Sequence, residues 1–351
     1  MTPTPNSQVI FSKIPTTYPV AGEHMTINNT TIDLDAPLGD GEILIKQLVI
    51  SVDPYMRGRM RDPSIESYIP AFTLGKPMTG DSMGVCLKSN NPRFKEGDYI
   101  YGVSGHGAFE NYVVVPASET QFYVVRNEPK TNGLPISNYV GVLALPGLTA
   151  YVGLLKYGKP KAGETLYVSA ASGAVGQIVG QIGKVLGLHV VGSAGSDEKV
   201  QYLKEIGFDA AFNYKTCDID GKLGELCPNG IDVYFENVGG KMLEAVINHA
   251  NRFGRIVACG MVSQYNREKP EGIHNLMQVV TKRLRIEGFI VSDSAAEMEE
   301  QFRKDVTQWL LEGKIKYRED IAYGIEKTPD ALIGVLRGEN FGKQVVKIAD
   351  P

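Results

Sequence analysis

Two rhythms of apolar and polar residues divide the chain. From Gly41 to Tyr123 the apolar positions come in short runs, EILIKQLVISV, DSMGVCL, DYIYGV, NYVVV and QFYVV, separated by Gly, Pro, Asn and Asp. Runs of that length bounded by turn formers predict strands, and together a compact barrel-like β domain. Val124 to Asn138 carries Pro129, Gly133 and Pro135 among polar residues and reads as a linker. Beyond it the pattern alternates between strand and helix. Strands are predicted near 165–170, 188–194, 211–213, 231–236, 253–259 and 285–290, with helical patterns between them. Val175, Ile178, Val179, Ile182 and Val185 fall on one helical face. Six strands alternating with helices predict an α/β fold, a doubly wound parallel sheet. Gly180 and Gly183 lower the propensity of the first of these helices, and close approach to the sheet is the expected compensation. From about Ile315 the tail gives a helix-like run, TPDALIGVLRG, then strand-like KQVVKI, and is expected to return to the first domain.

The stretch AASGAVG at 170–176 sits between the apolar run Thr165 to Ser169 and the helical pattern that begins at Val175. A strand, a turn of small residues and a helix start hold a pyrophosphate: glycine lets the backbone approach, and free N–H groups with the positive helix end face the charge. The segment predicts a dinucleotide site.

Composition narrows the remaining classes. With 351 residues and 43% hydrophobic content the chain is long enough for two cores, and its formal charge of -4 comes from evenly mixed acids and bases. No basic stripe supports binding to nucleic acid or a membrane surface. MTPTPNSQVIF lacks a charged region followed by an apolar core, and no apolar run is long enough to span a bilayer, so a cytoplasmic enzyme is expected. Cys86, Cys217, Cys227 and Cys259 form no CxxC, which points to small buried thiols rather than a disulfide framework or a thiolate zinc site.

The end of the second strand indicates the coenzyme. An Asp or Glu there holds a free 2′-hydroxyl, but the sequence reads Ser193-Ala194-Gly195-Ser196. Small polar residues leave room for a 2′-phosphate, and Lys199 can supply the opposing charge, so NADP(H) is expected over NAD. Asp197 and Glu198 are explained by the helix dipole. Tyr214, ending the third strand, packs against the adenosine end on one reading and is an ordinary core or surface tyrosine on another.

This order of domains resembles the medium-chain dehydrogenase/reductase superfamily. Within it, SVDPYMRGRM at 51–60, AASGAVGQIVGQIGK at 170–184, GSDEKVQYLKEIGFDAAFNYKT at 195–216, YFENVGG at 234–240, GRIVACGMVSQYN at 254–266 and GENFGKQVVK at 338–347 are similar to the zinc-independent alkenal double-bond reductase and prostaglandin reductase family. The resemblance implies a GroES-like domain from residues 1–135 with 315–351, a Rossmann domain at 136–314, and a homodimer joined along edge strands of the central sheets. Where zinc-dependent relatives carry a ligand Cys and a Gly-His-Glu, this chain reads Ser51-Val52-Asp53-Pro54-Tyr55 and Gly80-Asp81-Ser82, so no metal is expected. His106 in SGHGAF is most simply a loop histidine.

Without a Lewis acid an alcohol is hard to oxidise, whereas an enone needs one hydrogen-bond donor for the oxygen that becomes an enolate. The implied reaction is NADPH-dependent reduction of the C=C bond of α,β-unsaturated aldehydes and ketones. Tyrosine suits the donor role. The resemblance points to Tyr265 as the enolate donor and to Tyr55 as a pocket wall or second donor; Arg57 and Arg59 are read as salt-bridged or solvated. For the coenzyme it implicates Gly173, Ala174, Val175 and Gly176 at the pyrophosphate, Lys199 at the 2′-phosphate, Tyr214, and Asn237 after the fourth strand. It adds Cys259, Gly260, Met261, Val262, Ser263 and Tyr265 after the fifth strand, Phe289, Ile290 and Val291 around the nicotinamide, and Asn340 from the tail. The loop REKPEGIHNL after Tyr265 departs from many relatives, which leaves prostaglandins, leukotrienes, phenylpropenals and short enals all open as substrates. Quinone reduction, or coenzyme binding without turnover, are the alternatives.

Overall fold

In the computed structural model, which describes residues 3–351, the backbone separates into two units. In chain order the strands are β1 (Thr4–Phe11), β2 (Met25–Ile32), β3 (Ile43–Ser51), β4 (Thr79–Ser89), β5 (Tyr99–Ala108), β6 (Tyr112–Val115), β7 (Tyr123–Val125), β8 (Thr165–Val168), β9 (His189–Ala194), β10 (Ala210–Asn213), β11 (Ile231–Glu236), β12 (Ala250–Ala258), β13 (Arg285–Gly288), β14 (Glu319–Tyr323) and β15 (Lys343–Lys347). The β-rich unit takes the chain up to Ala144 together with residues 320–340 and 344–351; the α/β unit takes residues 145–319 and 341–343.

The β-rich unit is built on a sheet ordered β14-β15-β3-β4-β5-β7, with β6 also pairing β3. β3 lies at its centre and is buried at almost every position, which explains its near-continuous apolar run. The tail returns as expected, with Val345 opposite Ser51 and Val346 opposite Ile50. A separate hairpin, β1 with β2, adds Val9, Phe11 and Met25 to a core that also holds Met56, Phe72, Phe109 and Leu332. Fully burying each such side chain stabilises the fold by about 1.5–3 kcal/mol.

The stretch expected to be a linker is tied into this unit instead. Val124 and Val125 pair with Tyr101 and Ile100, Asn127 accepts from the Tyr99 N–H at 2.9 Å and donates to Asp98 at 2.9 Å, and Lys130 donates to the Gly97 carbonyl at 2.7 Å. The Asn127 side-chain amide extends the strand pairing at this end. The 3₁₀ turn Ile136–Val140 then packs on β3 and β4, which places residues 136–144 in the β-rich unit. Residues 315–319 belong to the α/β unit because Gln181 and Gln177 accept from the Lys316 and Arg318 N–H groups at 2.7 and 3.0 Å.

The α/β unit is a six-stranded parallel sheet ordered β10-β9-β8-β11-β12-β13, the doubly wound arrangement read from the sequence. β8 and β11 lie side by side at the point where the strand order reverses. On the sheet face below, Tyr167 and Tyr234 are completely buried and stack with ring centroids 5.3 Å apart. The glycines of the helix Gly176–Val185 allow close packing: a Cβ on Gly183 would lie 2.7 Å from Leu166, and one on Gly180 would meet the Phe208 ring. Among the described residues no helix is long and apolar enough to cross a membrane.

Candidate functional site

The turn after β8 is built as a cradle. Ala171 N–H reaches across to the Ser193 carbonyl at 2.9 Å, and the Gly173 N–H closes on the Ala170 carbonyl at 3.0 Å. A Cβ on Gly176 would sit 2.5 Å from the Ala170 oxygen and 2.7 Å from the Ala171 Cα, so backbone on both sides excludes any side chain there. Ala174 and Val175 give their N–H groups to no backbone partner among the described residues. Unpaired donors beside a helix start fit a pyrophosphate. Ala170 holds a left-handed φ of 47°, a conformation that suits glycine. Ala170→Gly is expected to stabilise the protein by about 0.5–1 kcal/mol, strain relief outweighing the added chain entropy; urea unfolding checks this, and a destabilised variant would contradict it.

Where β8 and β11 diverge, polar groups lock the crevice open. Asn237 donates its backbone N–H to the Ser169 hydroxyl at 3.0 Å and its side-chain amide to the Ser169 carbonyl at 2.8 Å. With that amide engaged, its side-chain oxygen is the group it can offer a ligand. Glu236, fully buried, accepts from the Val238 and Gly239 N–H groups at 2.5 and 2.9 Å and from the Tyr234 hydroxyl at 2.8 Å, while its second oxygen has no hydrogen-bond partner. Burial raises its carboxyl pKa despite those bonds. Sequence reasoning passed over Glu236, although an acid ending the apolar run IDVYFE was the available signal.

The segment after β12 folds over the same edge. Cys259 and Gly260 donate to the Glu236 carbonyl at 3.0 and 3.1 Å, Val262 to Asn237 at 3.0 Å and Ser263 to Val238 at 3.1 Å. The chain then turns so that the half-buried Tyr265 lays its phenol back over Gly260. The hydroxyl accepts the Met261 N–H at 3.3 Å, and a Cβ on Gly260 would lie 2.8 Å from it. Alongside opens a cavity of about 400 Å³ lined by Cys259, Gly260, Met261, Phe289, Ile290 and Asp293 with the ends of β12 and β13. The Phe289 ring is fixed by stacking on Tyr157 at 4.9 Å. Val291 ends this stretch as the residue preceding the helix Ser292–Leu311. Burial pushes the Cys259 thiol up to about 12, so it stays protonated and is no nucleophile.

At the other end of the crevice, Ser193 is consumed in the core, where its hydroxyl accepts from Tyr167 at 2.7 Å, and Ser196 caps the helix Asp197–Glu205 by accepting the Lys199 N–H at 3.3 Å. Tyr214 is held beside them through its N–H, 3.2 Å from the Ala194 carbonyl. The chain segment 341–343 also reaches this unit: Gly342 bridges to Gly173, and Phe341 lies under the Arg318 guanidinium at 3.6 Å. Asn340 immediately precedes that segment.

Tyr55 lies in the β-rich unit. Its hydroxyl is buried without a hydrogen-bond partner, and burial, reinforced by the Asp81 and Asp53 charges, holds its pKa well above the usual phenol range. It stays neutral and able to donate. The neighbouring arginines are buried rather than solvated, and both donate to backbone carbonyls. Arg57 donates to the Pro15 and Thr17 carbonyls at 3.1 and 2.9 Å. Arg59, 7% exposed, donates to the carbonyls of Pro70, Thr79 and Gly105 at 3.2, 2.8 and 3.1 Å and stacks 4.1 Å from the Phe72 ring. It clamps three segments around Tyr55. Arg59→Ala is expected to destabilise the protein by about 3 kcal/mol, because carbonyls and packing are abandoned together; urea unfolding decides, and a loss within about 0.5 kcal/mol would contradict the clamp.

The chain matches family models described as zinc-binding dehydrogenase, over residues 174–312, and as the N-terminal domain of oxidoreductase, over residues 8–122. It is 47% identical to a 2-alkenal reductase (NADP(+)-dependent) from Nicotiana tabacum, covering 98% of each chain. It is 42% identical to prostaglandin reductase 1 from Bos taurus, over 90% of this chain and 92% of that one. The crystal structure of CurA in complex with NADPH from Vibrio vulnificus matches at 39% identity with a TM-score of 0.88, covering 98% of this chain and 100% of that one. Among the described residues, no group of three or more His, Cys, Asp or Glu side chains is placed to hold a metal ion.

Proposed function

The chain belongs to the medium-chain dehydrogenase/reductase family, in the branch of the NADP-dependent 2-alkenal and prostaglandin reductases, and from that premise we propose that it uses NADPH to reduce the C=C bond of α,β-unsaturated aldehydes and ketones. The observation that carries this reading is the Tyr265 phenol, held over Gly260 beside the cavity by the Met261 N–H.

The residues around the glycine turn would hold the pyrophosphate, Asn237 would accept from a ribose hydroxyl or the carboxamide, and Cys259 to Ser263 with Phe289 to Val291 would frame the nicotinamide. When bound, the reduced coenzyme supplies a hydride to the β-carbon of the acceptor. Tyr265 meets the charge that then collects on the carbonyl oxygen. A phenol that already accepts a backbone N–H is the stronger donor through its own O–H, and a donor fixed before the reaction costs no reorganisation during it. Water or a hydroxyl returns a proton to the α-carbon and completes the saturated product. Tyr55, neutral and without a hydrogen-bond partner, is the second candidate donor. A homodimer along the open edge of β13 belongs to the same reading, since Ile286 there and Met277 and Val280 just before it are exposed; sedimentation at twice the chain mass would support it.

The coenzyme half of the proposal is tested by comparing NADPH with NADH on simple enones. A preference for NADPH of about a hundredfold in kcat/KM is expected from charge-assisted contacts to one phosphate. Equal turnover with both would count against it.

A further inference from the structure

Resting on the NADPH reading above, we propose that Lys215 is a second cation for the 2′-phosphate and, with Lys199, sets the preference for the phosphorylated coenzyme. Lys215 was not among the residues read from the sequence, and no motif singles it out.

Its placement arises from the ends of two strands. β10 pairs in parallel with β9, with Asn213 opposite Ala194, and the Tyr214 N–H bonds the Ala194 carbonyl at 3.2 Å. The residues after the two strands therefore emerge side by side. Asn213 then turns the chain: its side-chain oxygen accepts the Lys215 N–H at 3.1 Å. As a result Lys215 and Tyr214 lie back over Gly195, where a Cβ would come within 3.3 Å of the Lys215 ε-carbon and 3.3 Å of the Tyr214 hydroxyl. The glycine thus makes room for a lysine beside the position where an NAD-binding chain carries an acid.

The neighbouring groups leave this ammonium without a protein counter-charge. Lys215 is exposed and makes no side-chain hydrogen bond or ion pair among the described residues. Asp197 accepts the Asn213 amide at 2.8 Å and Asp218 caps the next helix by accepting the Gly221 N–H at 2.9 Å, and among the described residues neither forms an ion pair with Lys215. Glu198 is exposed in the first turn of its helix. Ser193 is fully buried and accepts from Tyr167 in the core, whereas Ser196, accepting the Lys199 N–H, keeps its own O–H as a neutral donor. Lys215 adds a full positive charge to that neutral donor.

The test is direct binding. Dissociation constants for NADPH and NADH are measured by nicotinamide fluorescence on the wild-type protein, K215A, K199A and the double variant, at two ionic strengths. K215A is expected to weaken NADPH about tenfold, to leave NADH within about twofold, and to flatten the salt dependence of NADPH binding. The double variant should bind the two coenzymes nearly alike. If the wild-type protein binds NADPH no more tightly than NADH, the coenzyme reading itself fails. If the wild-type protein prefers NADPH and K215A either leaves that preference intact or weakens both coenzymes equally, the role of Lys215 is overturned.

Discussion

Tyr265→Phe is expected to lower kcat on an enone by about a hundredfold to a thousandfold while NADPH affinity stays within about twofold. The substitution keeps the ring and removes one oxygen. That oxygen accepts the Met261 N–H at 3.3 Å, and Met261 is 36% exposed, so water replaces the lost partner and the loop keeps its shape. On the proposed reading, what disappears is the donor facing the oxygen on which charge develops, and a donor of that kind is worth about 3–4 kcal/mol in the transition state. Because the charge is absent from the bound ground state, the loss falls on kcat rather than on KM. Tyr55→Phe serves as the comparison: as a second donor it should lower kcat by about tenfold. Steady-state kinetics on both variants, with coenzyme titrations alongside, separate the two roles. A Tyr265→Phe enzyme that retains full kcat would remove Tyr265 from the chemistry.

The second large effect falls on the cradle. Gly176→Ala is expected to weaken NADPH binding by at least about a hundredfold and to destabilise the fold by about 2–3 kcal/mol. The added methyl has nowhere to go, because the atoms within 3 Å of it are the Ala170 and Ala171 backbone, and that backbone is the cradle itself. Pushing it aside moves the turn that the Ala171 N–H ties to Ser193. Gly173→Ala calibrates the result. A Cβ there would lie 3.2 Å from the Ala170 oxygen, a contact relieved by a few tenths of an ångström, so the variant should lose about tenfold or less. Fluorescence titration with NADPH, read together with urea unfolding, measures both consequences. Equal affinities for the two variants would show that the close approach is not what the turn requires.

The parts of the fold legible in the sequence were those where burial imposes a strong pattern. β8 and β11 are covered on both faces and read as apolar runs, and the helix Gly176–Val185 is legible in the spacing of Ile178, Val179 and Ile182, although Gln177, Gly180, Gln181 and Gly183 are buried as well and Val185 of the predicted face is exposed. The hairpin of β1 and β2 was not legible. Its first strand opens TPNSQ and its second reads MTINNTTI, largely polar because most of that strand faces solvent. The linker reading of 124–138 erred for a related reason: Asn127 looks like a turn residue but satisfies a strand end through its side chain.

The candidate site divides in the same way. The glycine turn, Asn237 and the Cys259 to Tyr265 stretch lie at strand ends whose order the alternating pattern fixes, so their convergence could be anticipated. Partners set by packing could not. Arg59 gives no sign in sequence that it will be buried against three carbonyls, and Ser193 none that Tyr167 will claim its hydroxyl. Lys215 depends on the absence of a side chain at Gly195, twenty residues earlier, a contact that only the pairing of β9 with β10 creates.

The central claim is that reducing equivalents reach the β-carbon of a conjugated acceptor while its carbonyl is preserved. Turnover of an enal with coenzyme deuterated at its transferable position, with mass spectrometry and NMR of the product, measures this directly. Deuterium at the β-carbon of a saturated aldehyde is the predicted result; deuterium at the carbonyl carbon of an allylic alcohol with the double bond intact would contradict it.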